Sequence, residues 1–125
     1  MEIAVIGLGR MGANIARRLA RGGHDVLAYD RAPGIAATLA GEHPRIRAAG
    51  TIGGIVKGMG KPRHLWVMVP AGRATDSAIR ALATSLSRGD VIIDGGNSNF
   101  RESMERAKSL AKRGIRFVDA GTSGG

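Results

Sequence analysis

Short apolar runs rich in β-branched residues alternate with longer segments of helical period along the whole chain, and this alternation restricts the fold more than any other feature. Strands that alternate with helices usually pair in parallel and are covered by helices on both faces. The sequence therefore predicts an α/β domain with a doubly wound parallel sheet of about six strands. The predicted strands are Glu2–Gly7, His24–Asp30, Arg45–Ala48, Arg63–Pro70, Asp90–Asp94 and Ile115–Asp119.

Five helices are predicted between these strands. The first carries an apolar stripe of Met11, Ile15 and Leu19, which recur every four residues, and it ends at Gly22-Gly23. Trp66, in the fourth strand, is expected to fill the core. The second helix is predicted to begin after Pro33, and the third to begin at Thr51, which caps it. The fourth is predicted to span Ala74–Leu86. The fifth is predicted to span Asn99–Arg113, with Ser98 as its N-terminal cap and Gly114 as its C-terminal stop.

Length and composition narrow the class of protein further. A chain of 125 residues predicts one domain, residues 1–125. The absence of cysteine excludes disulfides, a thiol nucleophile and sulfur-ligated metal, and we predict no metal site. No apolar stretch approaches the roughly 20 residues that span a bilayer, and no secretory leader is recognised, so we expect a cytoplasmic protein without membrane contact.

The charge balance does not indicate a nucleic-acid partner. Nineteen Lys and Arg residues stand against ten Asp and Glu, a formal net charge of +9. The basic residues are scattered rather than clustered, and one Trp, one Tyr and two Phe offer few rings for base stacking. We therefore predict no nucleic-acid binding. A basic surface also attracts small anions such as dinucleotides and phosphorylated metabolites.

A glycine-rich turn joins the first strand to the first helix. It reads Gly7-Leu8-Gly9-Arg10-Met11-Gly12, a G-x-G-x-x-G in the strand-turn-helix context of a Rossmann fold. Gly7 permits the tight turn, Gly9 lets the backbone approach a pyrophosphate, and Gly12 lets the helix pack closely on the strand. The pyrophosphate is expected at the helix N-terminus, where Arg10 either adds positive charge or remains a solvated surface residue.

Asp30, at the end of the second predicted strand, completes the dinucleotide-binding pattern. A carboxylate there accepts hydrogen bonds from both ribose hydroxyls of the adenosine half and repels a 2′-phosphate, which favours NAD over NADP. The neighbouring guanidinium of Arg31 is able to hold that phosphate and opposes the preference. The alternative for Asp30 is a turn residue at a strand end.

Polar and small residues follow the last three strands, where ligands of open α/β sheets bind. The segments are Val69-Pro70-Ala71-Gly72, Asp94-Gly95-Gly96-Asn97-Ser98 and Ser123-Gly124-Gly125. With the glycine turn, they make the whole chain resemble the N-terminal cofactor domain of the decarboxylating 6-phosphogluconate dehydrogenases. The related β-hydroxyacid dehydrogenases, including the 3-hydroxyisobutyrate type, usually lack the Gly-Gly-Asn-Ser element and are the alternative.

The resemblance implies roles that the residue pattern alone does not assign. Val69, Pro70, Ala71 and Asn97 would contact the cofactor, Asn97 would also contact the substrate, and Ser123, Gly124 and Gly125 would hold substrate oxygens. Without the resemblance, Asn97-Ser98 reads as a helix cap and the terminal glycines as a loop. The family's NADP-dependent members tend to show Asn-Arg-Thr at Asp30-Arg31-Ala32, which again favours NAD here.

The implied reaction is the NAD(P)-dependent oxidative decarboxylation of 6-phosphogluconate, a phosphorylated sugar acid, to ribulose 5-phosphate in the pentose phosphate pathway. The resemblance also implies a following all-helical domain that supplies the catalytic lysine, the catalytic glutamate and the contacts of a homo-oligomer. We expect no catalytic residue in this chain, which should therefore be inactive alone. A module that binds NAD and reports its redox state without chemistry remains an alternative.

Overall fold

The computed structural model describes residues 1–32, 34–69, 73–96 and 100–120, without the side chains of 73–76 and 100–103. Within these residues, six strands alternate with five helices, as the sequence predicts. The strands are β1 (Glu2–Ile6), β2 (Asp25–Tyr29), β3 (Ile46–Ala48), β4 (His64–Val67), β5 (Val91–Asp94) and β6 (Arg116–Asp119). The helices are α1 (Arg10–Arg21), α2 (Ile35–Ala40), α3 (Ile52–Lys57), α4 (Arg73–Ala83) and α5 (Phe100–Ala111).

All six strands form one sheet in the order β3-β2-β1-β4-β5-β6, and each neighbouring pair is parallel. The order runs outward from β1 in one direction and from β4 in the other, which is the doubly wound arrangement of a Rossmann fold. The predicted fold class is confirmed. The reversal places the carboxyl ends of β1 and β4 side by side, where open α/β sheets bind their ligands.

Each face of the sheet has its own hydrophobic core. One core joins α1 and α2 to β1, β2 and β3 through residues such as Val5, Ala16 and Leu39. The other core lies beneath α3, α4 and α5 and includes Ile55, Leu82 and Ile92, all with no exposed surface.

On the face of α1 and α2, burial decreases across the sheet. Ala28, Val5, Trp66, Ile93 and Val118 form one row of laterally paired residues. Ala28 and Val5 are fully buried, Trp66 and Ile93 are half-buried, and Val118 is 47% exposed. The expectation that Trp66 fills the core is therefore wrong. The ring lies on the β4–β6 half of this face, outside the part that α1 and α2 cover.

The buried face of α1 differs from the predicted stripe. The buried residues are Gly12, Ala16 and Ala20, whereas Ile15 and Leu19 pack at the margin of the core and Met11 is 41% exposed. Small residues lie at the centre because they let the helix axis approach the sheet closely. Hydrophobicity alone places the stripe one residue too early.

Several predicted helix ends are confirmed. The Oγ1 of Thr51 accepts a hydrogen bond from the Gly54 N–H at 2.9 Å and caps α3. Gly23 (φ 92°) and Gly114 (φ 76°) occupy the left-handed region after α1 and α5, as glycines that follow a helix commonly do. The predicted Ser98 cap lies outside the described residues.

The strands are one or more residues shorter than predicted because pairing, rather than apolarity, sets their limits. β1 ends at Ile6 where the chain turns at Gly7, and β4 therefore ends at Val67, the partner of Ile6. In the described part of the chain, no helix is long and apolar enough to cross a membrane, and no three His, Asp or Glu side chains are grouped as metal ligands.

Candidate functional site

The first glycine of the turn directly follows β1 and lies between the carboxyl ends of β2 and β4. Gly7 is buried, has a φ of 95°, and its N–H donates to the carbonyl oxygen of Tyr29 at 2.9 Å. A Cβ at this position would lie 2.7 Å from the carbonyl oxygen of Met68 and 3.0 Å from Cγ1 of Val69. Both the backbone angle and the space therefore require glycine. The turn brings half-buried Val69, a predicted cofactor contact, next to Gly7.

The other two glycines have opposite surroundings. A Cβ at Gly12 would overlap the carbonyl oxygen of Gly7, so a side chain cannot be added without moving α1 away from β1. A Cβ at Gly9 would meet no atom of the described residues within 4 Å. The fold therefore does not require glycine at Gly9 for space, and the open volume in front of its backbone is available to a ligand.

Among the described residues, no side chain caps the N-terminus of α1. Gly9 occupies the cap position without a side-chain hydrogen bond, and the first turn contains no acidic residue. The first N–H groups of a helix have no partner within the helix, and aligned peptide dipoles give this end a partial positive charge. Together with the space at Gly9, this end of α1 has the features of a pyrophosphate site.

Asp30 directly follows β2 and is bonded to the glycine turn. Its Oδ2 accepts a hydrogen bond from the Leu8 N–H at 2.8 Å, and its Oδ1 accepts one from the Ala32 N–H at 2.8 Å. The half-buried carboxylate thus links the end of β2 to the start of the β1–α1 turn. A carboxylate has about four acceptor positions, so two remain for ligand hydroxyls.

The remaining predicted contacts of this region differ in exposure. Leu8 is 5% exposed and its side chain belongs to the core beneath α1, so only its backbone lies at the site. Arg10, Met11 and Arg31 are exposed. Arg10 is the first residue of α1 and Arg31 follows Asp30 in the chain, so both arginines add positive charge to this region, where an anionic ligand benefits from it.

Of the segments predicted to face the distal half of a cofactor, the structure describes Val69, the start of the β5 loop and the end of β6. Asp94 closes β5, and its Oδ1 accepts a hydrogen bond from the Gly96 N–H at 2.9 Å. The other predicted contacts lie outside the described residues; they are Pro70, Ala71, Asn97, Ser123, Gly124 and Gly125.

Sequence reasoning missed the partner of Asp94. Arg106 on α5 is 9% exposed, and its Nη1 lies 3.8 Å from Oδ2 of the fully buried Asp94. Arg106 precedes buried Leu110 by four residues, a spacing that places both on one helix face. A basic residue in register with an apolar stripe was the available signal, because a buried arginine needs an anionic partner.

A groove of about 410 Å³ lies between α1 and α2, apart from these groups. Its lining includes Ala13, Ile35 and Leu39, with the exposed ion pair of Arg17 and Glu42 at 2.9 Å among its residues. Hydrogen bonding from the Arg17 guanidinium lowers the pKa of the Glu42 carboxyl. Of the predicted site residues that the structure describes, Leu8 alone lines this groove, which lies between the helices and not along the carboxyl edge of the sheet.

Comparison with known proteins identifies relatives along the whole chain. A family model described as the NAD binding domain of 6-phosphogluconate dehydrogenase matches residues 2–125. The chain is 41% identical to the NAD(+)-dependent, decarboxylating 6-phosphogluconate dehydrogenase of Haloferax volcanii, over 100% of this chain and 40% of that protein. It is 42% identical to the decarboxylating 6-phosphogluconate dehydrogenase of Haemophilus ducreyi, over 99% of this chain and 26% of that protein.

Solved structures agree with these sequence relatives. The 6-phosphogluconate dehydrogenase of Plasmodium falciparum superposes with a TM-score of 0.88 at 26% identity, over 100% of this chain and 28% of that one. The 3-hydroxyisobutyrate dehydrogenase of Mycobacterium tuberculosis superposes with a TM-score of 0.84 at 23% identity, over 99% of this chain and 41% of that one, a likeness of fold alone. The chain thus spans less than half the length of these relatives.

Proposed function

Since the chain belongs to the family of NAD-binding domains of 6-phosphogluconate dehydrogenase, we propose that it binds a nicotinamide dinucleotide along the carboxyl edge of its sheet. The observation that carries this proposal is the uncapped N-terminus of α1 with open space at Gly9, bonded through Leu8 to Asp30. The backbone N–H groups of Arg10, Met11 and Gly12 would hold the pyrophosphate, and exposed Arg10 would add charge to it.

The adenosine ribose would lie beside Asp30, whose remaining acceptor positions suit two hydroxyls. A negative charge there disfavours a 2′-phosphate, and this supports a preference for NAD over NADP. The Haloferax relative is named as NAD(+)-dependent, whereas the Plasmodium enzyme was solved with NADP+, so both cofactors occur among the relatives. Arg31, exposed next to Asp30, is able to hold a 2′-phosphate and opposes this preference.

The full protein would oxidise and decarboxylate 6-phosphogluconate. When bound, the oxidised nicotinamide would supply the hydride acceptor for oxidation of the substrate's C3 hydroxyl, whose proton would go to a base outside this chain. Loss of CO₂ from the β-keto acid and protonation of the resulting enediol would then give ribulose 5-phosphate. Val69, Pro70, Ala71 and Asn97 would place the nicotinamide, which raises the rate by bringing the reacting carbons together in the right orientation. Asn97, with Ser123, Gly124 and Gly125, would donate to substrate oxygens.

In the full protein, proton transfer would belong to a further, all-helical domain, which would also supply the contacts of a homo-oligomer. We therefore expect NAD(H) binding by the 125 residues but no turnover of 6-phosphogluconate. Binding of 6-phosphogluconate that is cooperative with NADH favours this reaction over a redox-sensing module, which needs no substrate contact. Measurable release of CO₂ by the isolated chain would contradict the assignment of the base and acid elsewhere.

The site is tested by titrating NADH and NADPH into the chain and into two variants at position 30. The unaltered chain should bind NADH more tightly. Asp30→Asn keeps an oxygen for the Leu8 N–H but loses the charge, so the preference should narrow while the turn is retained. Asp30→Ala removes both and should weaken binding of both cofactors. Affinities that are equal for the two cofactors and unchanged in both variants would refute the role of Asp30.

A further inference from the structure

We propose that the buried ion pair of Asp94 and Arg106 is a positioning device that fixes the start of the β5 loop and so orients the nicotinamide half of the bound dinucleotide. The inference rests on the proposed function. Asp94 is fully buried at the carboxyl end of β5, and the side chain of Arg106 is 9% exposed. Removing two charges from water is costly unless they face each other, so each group restricts where the other lies.

The pair acts on the backbone through the second carboxylate oxygen. Asp94 Oδ2 faces Arg106 while Oδ1 accepts the hydrogen bond from the Gly96 N–H. The Gly95 N–H donates to the carbonyl oxygen of Val67 at 2.9 Å, and the Ala120 N–H donates to the carbonyl oxygen of Asp94 at 2.9 Å. Residues 94–96 are therefore tied to a neighbouring strand on each side and to α5 below. The next residue in the chain is Asn97.

The opposite face of this segment is held by close packing. The indole N–H of Trp66 donates to Met68 Sδ at 2.9 Å, and a Cβ at Gly95 would collide with both of these groups. Gly95 thus lies directly against Trp66 and Met68, and the loop cannot move toward them. Because Arg106 on α5 holds Asp94, the β5 loop begins at a fixed position. The charged Arg106 lies on one side of this position, and Trp66 and Met68 lie on the other.

The chain supplies a matched control for this role at the other end of β5. Asp90 precedes β5, is fully buried, and pairs with Arg63 Nη1 at 3.0 Å. Its carboxylate accepts backbone hydrogen bonds from Ser87 and Arg63, both at 2.8 Å. This pair is also a buried aspartate facing an arginine, with a shorter contact than that of Asp94 and Arg106, but it lies at the amino edge of the sheet, away from the proposed ligand.

The experiment compares the affinities of NADH and ADP-ribose, which shares the adenosine and pyrophosphate groups but lacks nicotinamide. It uses the unaltered chain, Asp94→Asn, Arg106→Lys and the control Asp90→Asn. Asp94→Asn and Arg106→Lys should each lower NADH affinity about tenfold, because the nicotinamide half is no longer held in place, and leave ADP-ribose affinity unchanged. Asp90→Asn should lower the melting temperature and leave both affinities unchanged. The emission of bound NADH should shift toward that of free NADH only in the first two variants.

Two results would overturn the inference. One is that the affinities of NADH and of ADP-ribose both stay unchanged in Asp94→Asn and in Arg106→Lys. The other is an equal loss for both ligands, which describes structural support and not positioning. Arg106→Lys keeps a cation and serves as the test if Asp94→Asn does not fold. Failure of the unaltered chain to bind NADH would instead refute the proposed function, and the inference with it.

Discussion

Gly9 and Gly12 belong to one turn, but only Gly12 is required by the fold. Gly9→Ala should change the free energy of unfolding by less than about 0.5 kcal/mol, because the φ of −65° at Gly9 suits alanine and a Cβ there lies more than 4 Å from every neighbour that the structure describes. The same methyl group would occupy the pyrophosphate volume and should abolish NADH binding. Gly12→Ala should lose binding together with about 2–3 kcal/mol of stability, because α1 must move off the Gly7 carbonyl. Chemical denaturation beside an NADH titration separates the two effects; a Gly9→Ala chain that still binds would exclude Gly9 from the site.

The buried carboxylate of Asp90 makes the free energy of unfolding of the domain depend on pH in the acid range. Burial by itself would raise the pKa of its carboxyl, but hydrogen bonds from Ser87 and from the backbone and guanidinium of Arg63 outweigh burial and lower it. Because the folded pKa lies below the unfolded value of about 3.9, Asp90 stabilises the fold above that pH, and this contribution is lost as the pH falls through the folded pKa. Asp90→Asn should cost about 1–3 kcal/mol at pH 7, and the difference from the unaltered chain should shrink below about pH 4. Urea unfolding at several pH values measures this difference, and a constant value would contradict the assignment.

Helix α1 shows how far the sequence predicts an element and where the prediction fails. The helix, its glycine start and its Gly22-Gly23 end follow from local chemistry and are present. Its buried face was misplaced because a hydrophobicity pattern does not indicate how closely a helix packs. Ala16→Leu should therefore cost about 1–3 kcal/mol by overfilling the contact with the sheet, although leucine is a good helix former. Arg18→Leu, on the exposed side, should remain within about 0.5 kcal/mol. Thermal or denaturant unfolding measures both variants. If Ala16→Leu and Arg18→Leu lowered the free energy of unfolding by similar amounts, α1 would not pack closely on the sheet.

For the strands and the ion pairs as well, the sequence predicts some features and not others. The strands β1, β2, β4 and β5 were predictable because each is a short, largely apolar run bounded by polar or glycine residues, whereas β3, which reads Ile-Arg-Ala, gives a weak signal. The residues at which the strands end were not predictable in this way, because β4 ends where its partner β1 turns. Asp90 pairs with Arg63 and Asp94 faces Arg106 across long stretches of chain, so only the folded arrangement brings these charges together. The glycine turn and Asp30 were predictable as site residues, whereas the hydrogen bond that joins them was not.

At the scale of the whole molecule, the two faces of the β4–β6 half of the sheet are unequally covered. Ile92 and Ile93 are adjacent in β5, but Ile92 is fully buried beneath the helices α3–α5 while Ile93 is half-buried on the other face. Ile92→Ala should cost about 3 kcal/mol and Ile93→Ala about 1 kcal/mol. Acrylamide should also quench Trp66, which lies beside Ile93. Equal costs, together with a Trp66 that acrylamide does not reach, would mean that another part of the chain covers this face.

The partly uncovered face also has a consequence for how the protein behaves at high concentration. Exposed Val118 on the edge strand β6, with Ile93 and Trp66 beside it, offers apolar surface to a neighbouring molecule. The net charge of +9 opposes such encounters through long-range repulsion. Added salt shortens the range of that repulsion, to about 8 Å at 0.15 M, and leaves the apolar attraction in place. Storage in dilute buffer should keep the protein dispersed, and light scattering should rise as sodium chloride is added.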